Sequence, residues 1–286
     1  MKIVFFFVFT ASLFATVNEP LRCQLFSGYR NDRIHWHLEE PEGGRLTYSE
    51  IYRDVEYWEN GLAFKVIYRD LTFFLSGAYG TFGRGTVYQR YADFPSRFHF
   101  KTDGWSADGT GYFGYAVNLT ADRTYKILLT PLIGYSGHFE DLSRKGGSFA
   151  SSLPGVFRLV WNGFLFGGGL TFEPGGSLNL HIGYSYHRIH NRMQTMIQNG
   201  LDGASLRQSV KTSSGGNSGQ TGWAQLDWLL SRFWRLGVGG QIHYFSTRVV
   251  NAAVQEKSVE GKDQYLQRFK LRWTPFSAWA QISRTF

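Results

Sequence analysis

Long stretches of this chain alternate apolar and polar residues with a period of two. Leu178, Leu180, Ile182, Tyr184 and Tyr186 interleave with Ser177, Asn179, His181, Gly183, Ser185 and His187. Trp234, Leu236, Val238, Gly240, Ile242 and Tyr244 interleave with Arg235, Gly237, Gly239, Gln241 and His243. The same rhythm recurs in Ala224, Leu226 and Trp228 and in Phe113, Tyr115, Val117 and Leu119. Successive side chains of a strand point to opposite faces, so each run has one apolar and one polar face. Aromatic residues stand at the ends of the apolar faces, where a membrane interface would place them. A secreted β-sandwich or a periplasmic β-protein would also alternate; the aromatic ends favour a barrel with its apolar face in lipid.

The N-terminus supports export. Met1 and Lys2 precede an apolar run from Ile3 to Ala15, the layout of a secretory signal and too short for a membrane-spanning helix. The reading is a signal peptide and short N-terminal segment over 1–22, then a barrel over 23–286. Cys23 is the single cysteine, so no intramolecular disulfide is available. Lipid attachment at Cys23 is disfavoured by Arg22 before it. Aromatics make up 17% of residues, with 34 glycines and 7 prolines. Mean hydropathy is only −0.26, and no later stretch approaches a transmembrane helix. Those values fit strands that face lipid on one side only.

The alternation predicts strands at about 24–38, 46–69, 71–84, 104–119, 124–139, 156–172, 177–190, 220–230, 233–249 and 264–286. The expected fold is therefore all-β, a transmembrane antiparallel up-and-down barrel of about ten strands. Tight links fall at Arg69–Asp70, Ala121–Arg123, Glu173–Gly176 and Ser231–Arg232; long polar ones fall at 85–103, 140–155, 191–219 and 250–263. Short periplasmic turns and longer external loops have that rhythm, which places the chain in the bacterial outer membrane. Phe286 ends an apolar face shared with Phe276, Ala278, Ala280 and Ile282. The apolar parity changes between Trp273 and Phe276, and Pro275, which lacks an amide donor, suggests a bulge there.

Gly43-Gly44-Arg45, Trp58 through Asp70, Ser76-Gly77-Ala78 and Gly83-Arg84-Gly85 resemble the front half of the omptins, ten-stranded outer-membrane proteases. Asn118-Leu119, Leu132-Ile133-Gly134-Tyr135 and the closing Arg284-Thr285-Phe286 continue the resemblance. The chain is also similar in length to divergent outer-membrane proteins of chlamydia-like bacteria. The omptin resemblance implies two carboxylates on one rim and an Asp–His couple opposite, activating a water between them. The matching positions here carry Tyr88 and Arg90, then Gln194 and Met196. Of the positions that implies for lipopolysaccharide contact, Tyr135 matches, whereas Gly137 and Phe139 replace charged residues. The resemblance thus implies the barrel without the protease residues.

Other chemistry is sparse. Tyr88, Arg90, Asp93, His187, His190 and Arg192 are the candidate external rim residues, Asp93, His187 and His190 being those that a shift in alignment would bring to catalytic positions. His187, Arg188, His190 and Arg192 suit either a solvated strand end or a basic patch for anionic sugars. His35 and His37 share a strand face, but zinc normally takes a third or fourth ligand, so no metal or cofactor is expected. The formal charge of +8, on an exported barrel, points to lipid and sugar phosphates rather than nucleic acid. Tyr91, Phe94, Phe98, Phe100 and Trp105, read as loop residues, suit a host or partner surface. The expected function is a non-enzymatic surface, structural, adhesive or small-solute pore role, with a rearranged cell-surface hydrolase as the alternative.

Overall fold

The computed structural model describes residues 21–40, 46–91, 98–120, 124–147, 155–198, 205–212, 217–247, 250–258 and 261–286. Residues 1–20, holding the expected export signal, lie outside the described residues, as do Asp93 and Phe94. The strands are β1 (Leu21–Glu39), β2 (Leu46–Tyr68), β3 (Leu71–Tyr91), β4 (Phe98–Tyr115), β5 (Val117–Asn118), β6 (Lys126–Gly147) and β7 (Gly155–Glu173). They continue as β8 (Leu178–Gln198), β9 (Ser205–Thr212), β10 (Ser218–Leu229), β11 (Trp234–Ser246), β12 (Val250–Ser258), β13 (Gly261–Trp273) and β14 (Phe276–Thr285). All pairings are antiparallel neighbours, and β1 closes the sheet against β13 and β14. β9 continues above β10, β12 above β11 and β13 above β14, while β5 extends β4, so the barrel has ten walls. The expected strand number and topology hold.

The lower half obeys the lipid pattern. Leu180, Ile182, Tyr184, Leu236, Val238, Ile242, Phe164 and Phe166 are exposed on the outside. Their inward neighbours are polar or small, including Gln24, Ser185, Thr221 and Asp227. The links at this end are tight: Arg69 sits at φ 54° and Gly175 at φ 77°, and the left-handed backbone at Gly175 is one that glycine adopts without strain.

The upper half reverses the pattern, and β1 makes this visible within one unbroken strand. Its even-numbered residues face inward throughout. Arg22, Gln24, Arg30 and Asp32 are the polar members of that face, followed by Ile34, Trp36 and Leu38, each 0–1% exposed. Outward, Leu25 and Tyr29 give way to Arg33, His35 and His37. Above the membrane, water surrounds the outside of the barrel, so the apolar face must turn inward to be buried. Ile34, Trp36, Leu38, Tyr52, Val55, Tyr57, Val87, Leu142, Phe157, Leu159, Trp161, Ile189, Met193, Phe245, Phe269, Leu271 and Trp273 form one core there, joined by Tyr48 and packed against by Phe100. Each fully buried Leu, Ile or Phe stabilises by about 1.5–3 kcal/mol, which lets these strands stand clear of the bilayer.

This inversion corrects two expectations. Much of the expected long loops is strand: β3 runs to Tyr91, β6 to Gly147 and β8 to Gln198, with β9, β12 and the top of β13 beside them. Phe98, Phe100 and Trp105 lie in β4 and Tyr91 ends β3, so these four are strand residues. There is also no bulge at Pro275. The register with β1 runs evenly from Asn31↔Phe276 to Ile34↔Trp273, and that with β11 from Ile242↔Phe276 to Phe245↔Trp273. Trp273 faces in and Phe276 faces out, as ordinary alternation requires; the burial environment, not the backbone, changes between them. A true register shift lies in β2, between Arg53 and Glu56, where Asp54 has φ 54°. It turns Tyr52 and Val55 to the same inner face.

Candidate functional site

The lumen is built in layers. At the top, the aromatic and aliphatic core fills the barrel: the Trp161 ring lies 4.3 Å from Phe245 and 5.7 Å from Trp273, and Phe157 lies 4.7 Å from Tyr52. One ion pair is enclosed in it. Arg144 on β6 bonds Glu50 on β2 and also donates to Tyr52 Oη and Thr195 Oγ1 at 3.1 and 3.2 Å. Glu50 further accepts from Trp36 Nε1 at 3.0 Å, Tyr52 Oη at 2.9 Å, Gln89 Nε2 at 2.8 Å and Tyr48 Oη. Burial works against the Arg144 charge, but the Glu50 carboxylate and the two tyrosines more than offset it and raise its pKa above the ordinary arginine value.

Beneath the core lies a charged layer. Arg30 donates to both oxygens of Asp32 at 2.6 Å, to Glu59 at 2.9 Å and to Asp108. Trp273 Nε1 donates to Asp32 at 3.0 Å. His138 Nδ1 lies 2.8 Å from Asp108, and Tyr57 Oη donates to Glu140. Asp32, His138, Glu140 and Arg30 are all 3% exposed or less. Below this layer is a cavity of about 240 Å³ lined by Glu59, Asp108, Ser136, His187, Thr221 and Gln225, among others. Nearer the periplasmic turns, Asp227 pairs with Arg22 at 3.6 Å and accepts from Gln225 and Gln281 at 2.8 and 2.9 Å.

The candidate rim residues do not converge. Tyr88 and Arg90 point outward from β3, while His190 and Arg192 point outward from β8, with β4, β6 and β7 between them. Arg53 lies over the Tyr88 ring at 5.2 Å. His187 is turned into the lumen, 4% exposed, within 2.9–3.0 Å of the hydroxyls of Ser136, Ser185 and Thr221. Asp93 lies outside the described residues. His35 and His37 do share the outer face of β1, with ring centroids 5.5 Å apart. His37 Nε2 is engaged by Glu39 at 2.9 Å. Burial lowers the pKa of both, assisted at His35 by the neighbouring His37 and Arg272.

Two features escaped the sequence reading. One is the charged layer, whose members come from β1, β2, β4 and β6 and lie up to 110 positions apart in the chain (Arg30 to Glu140). Ionisable residues on the inward parity of membrane strands were the available signal. The other is the extent of a basic outer wall, of which the sequence pointed only to Arg188 and Arg192: Arg33, Arg84, Lys101, Arg158, Arg268, Lys270 and Arg272 are also exposed above the apolar band.

Known proteins frame these observations. No curated protein sequence matches the chain. Among solved structures, the outer membrane protease OmpT from Escherichia coli superposes at a TM-score of 0.75 and 11% identity, covering 95% of this chain and 99% of that one. The translocator domain of the autotransporter NalP from Neisseria meningitidis aligns at 14% identity over 96% and 92% of the two chains, with a TM-score of 0.40. Neisserial surface protein A aligns at 10% identity over 93% and 97%, with a TM-score of 0.31. The OmpT similarity supports the barrel fold alone. Residues 24–286 match the family described as Protochlamydia outer membrane protein. The chain therefore belongs to the Protochlamydia outer membrane protein (Pom) family, an outer-membrane β-barrel of the bacterial outer membrane.

Proposed function

We propose that this protein is a sealed, non-enzymatic barrel whose outer half serves as a structural or adhesive surface. The observation that carries the reading is the core inside the outer half. Trp36, Phe157, Leu159, Phe269 and Trp273, each 0–1% exposed, occupy the path a solute would take. Interior side chains of a narrow barrel can fill it completely. A sealed outer end favours the surface role over the small-solute pore role.

The basic outer wall supports contact with lipopolysaccharide phosphates. Arg33, Lys270 and Arg272 stand together just above the apolar band, on paired strands β1 and β13. Guanidinium groups suit phosphate recognition, and polybasic surfaces gain affinity at anionic lipid headgroups. OmpT is a protease, and the alternative is a cell-surface hydrolase on the same barrel. Two facts weigh against it: the positions implied for carboxylates carry Tyr88 and Arg90, and these diverge from His190 and Arg192.

Two assays of detergent-purified protein test the reading. Liposomes carrying it should not swell in isotonic small sugars, and peptides with paired basic residues should remain uncut. Rapid swelling would replace the surface role with a pore, and efficient cleavage lost in His187→Ala would restore the hydrolase.

A further inference from the structure

We propose that Asp32, His138 and Glu140 hold one divalent transition-metal ion of the zinc class, fixed at the base of the outer core. Each residue offers a ligand atom, and the three atoms lie within 4.8 Å of one another. His138 Nε2 and Glu140 Oε2 are buried, have no hydrogen-bond partner, and stand 3.6 Å apart. At that distance they do not hydrogen-bond each other. Ligand atoms of a tetrahedral zinc with bonds of about 2.0–2.1 Å are about 3.3–3.4 Å apart, so this pair needs only a small closure.

The surrounding contacts leave those atoms available to an ion. His138 Nδ1 is turned to Asp108 at 2.8 Å, the carboxylate–histidine arrangement that fixes the ring and directs Nε2 to a metal. Tyr57 Oη donates to Glu140 Oε1, which leaves Oε2 as the ligand atom. Asp32 Oδ2 already accepts from Arg30 and Trp273, whereas Oδ1 accepts only from Arg30 and keeps a lone pair. Charge points the same way. Among the described residues, the ion-pair partners of the Asp32, Glu59, Asp108 and Glu140 carboxylates in this layer are Arg30 and the His138 ring, four acids against two bases. A buried excess of negative charge is costly, and a dication would offset it. Asp108, which holds His138 Nδ1, and Glu59 also line the 240 Å³ cavity below, so that cavity reaches the layer next to the site.

The three ligands are scattered along the chain, Asp32 on β1 and the other two on β6. The test uses untagged full-length barrel in detergent, stripped with a chelator and then dialysed against Zn²⁺ alone. One zinc per chain should be retained, and Co²⁺ in its place should give the intense visible bands of a four-coordinate ion. His138→Ala and Glu140→Gln should each lose the ion, Asp108→Asn should weaken binding about 10–100-fold, and His35→Asn/His37→Asn should leave it unchanged. Glu140→Gln preserves side-chain size and the oxygen that accepts from Tyr57, so it decides the matter if His138→Ala does not fold. Failure of the wild-type barrel to retain zinc, or full retention by Glu140→Gln, would overturn the site. Neither result depends on whether the barrel conducts.

Discussion

Replacing Glu50 with leucine should destabilise the barrel far more than removing a surface carboxylate. Glu50 is 0% exposed and faces the Arg144 guanidinium, itself 2% exposed as a side chain. Taking away one member of a buried pair leaves the other charge uncompensated, at a cost of about 3–5 kcal/mol. Trp36 Nε1 and Gln89 Nε2 would also lose their acceptor, adding about 1 kcal/mol or more each. Arg144→Met should cost less, because Glu50 would keep four neutral donors. The double variant Glu50→Leu/Arg144→Met should recover part of the Glu50→Leu loss, since no unpaired charge remains. The control is Asp103→Asn, which breaks an exposed pair with Lys145 and should cost about 0–1 kcal/mol. Guanidinium unfolding of the four variants in one detergent, followed by tryptophan fluorescence, reads these differences. A Glu50→Leu loss no greater than that of Asp103→Asn would refute an enclosed, water-free outer core.

Other outcomes follow from the same layering. Val238→Arg puts a charge on a lipid-facing position that is 56% exposed and should cost about 2–4 kcal/mol, whereas Arg158→Leu, outward on the upper half and losing a pair with Asp141, should cost only about 0–1 kcal/mol; folding titrations into vesicles compare them. Gly83→Ala would set a Cβ 2.2 Å from the Tyr57 ring, so it should cost about 1–3 kcal/mol, read as a lower unfolding midpoint. The lowered pKa of His35 and His37 means that the unfolded chain binds their protons more readily than the folded one does. Their contribution is present above pH 6.5 and is lost as pH falls through their folded values, so His35→Asn/His37→Asn should show a shallower fall in melting temperature below pH 6.5.

The lower half of the barrel was legible in the sequence because its alternation has one meaning there. Residues such as Leu180, Ile182 and Val238 can only be lipid-facing once their polar neighbours fill a lumen. The upper half was harder for a physical reason. In β1, Ile34, Trp36 and Leu38 alternate as cleanly as Leu25 and Tyr29, yet the parity that is apolar has changed sides. A reading that expects apolar residues to face outward treats this change as a bulge or a loop, as at Pro275 and over 85–103. The charged layer was hidden for a different reason: Arg30, Asp108 and His138 are ordinary inward polar residues until closure of the barrel brings their strands together. His187 shows the limit of local clustering. It adjoins Arg188 and His190 in sequence, but the strand period sends it inside while they face water.

Single-channel recording in planar lipid bilayers tests the sealed barrel most directly. Purified protein inserted at neutral pH should give a silent membrane with no steady current steps if, as proposed, the outer core seals the lumen. Steady, reproducible openings of one conductance from the wild-type protein would contradict that closure and make the barrel a pore.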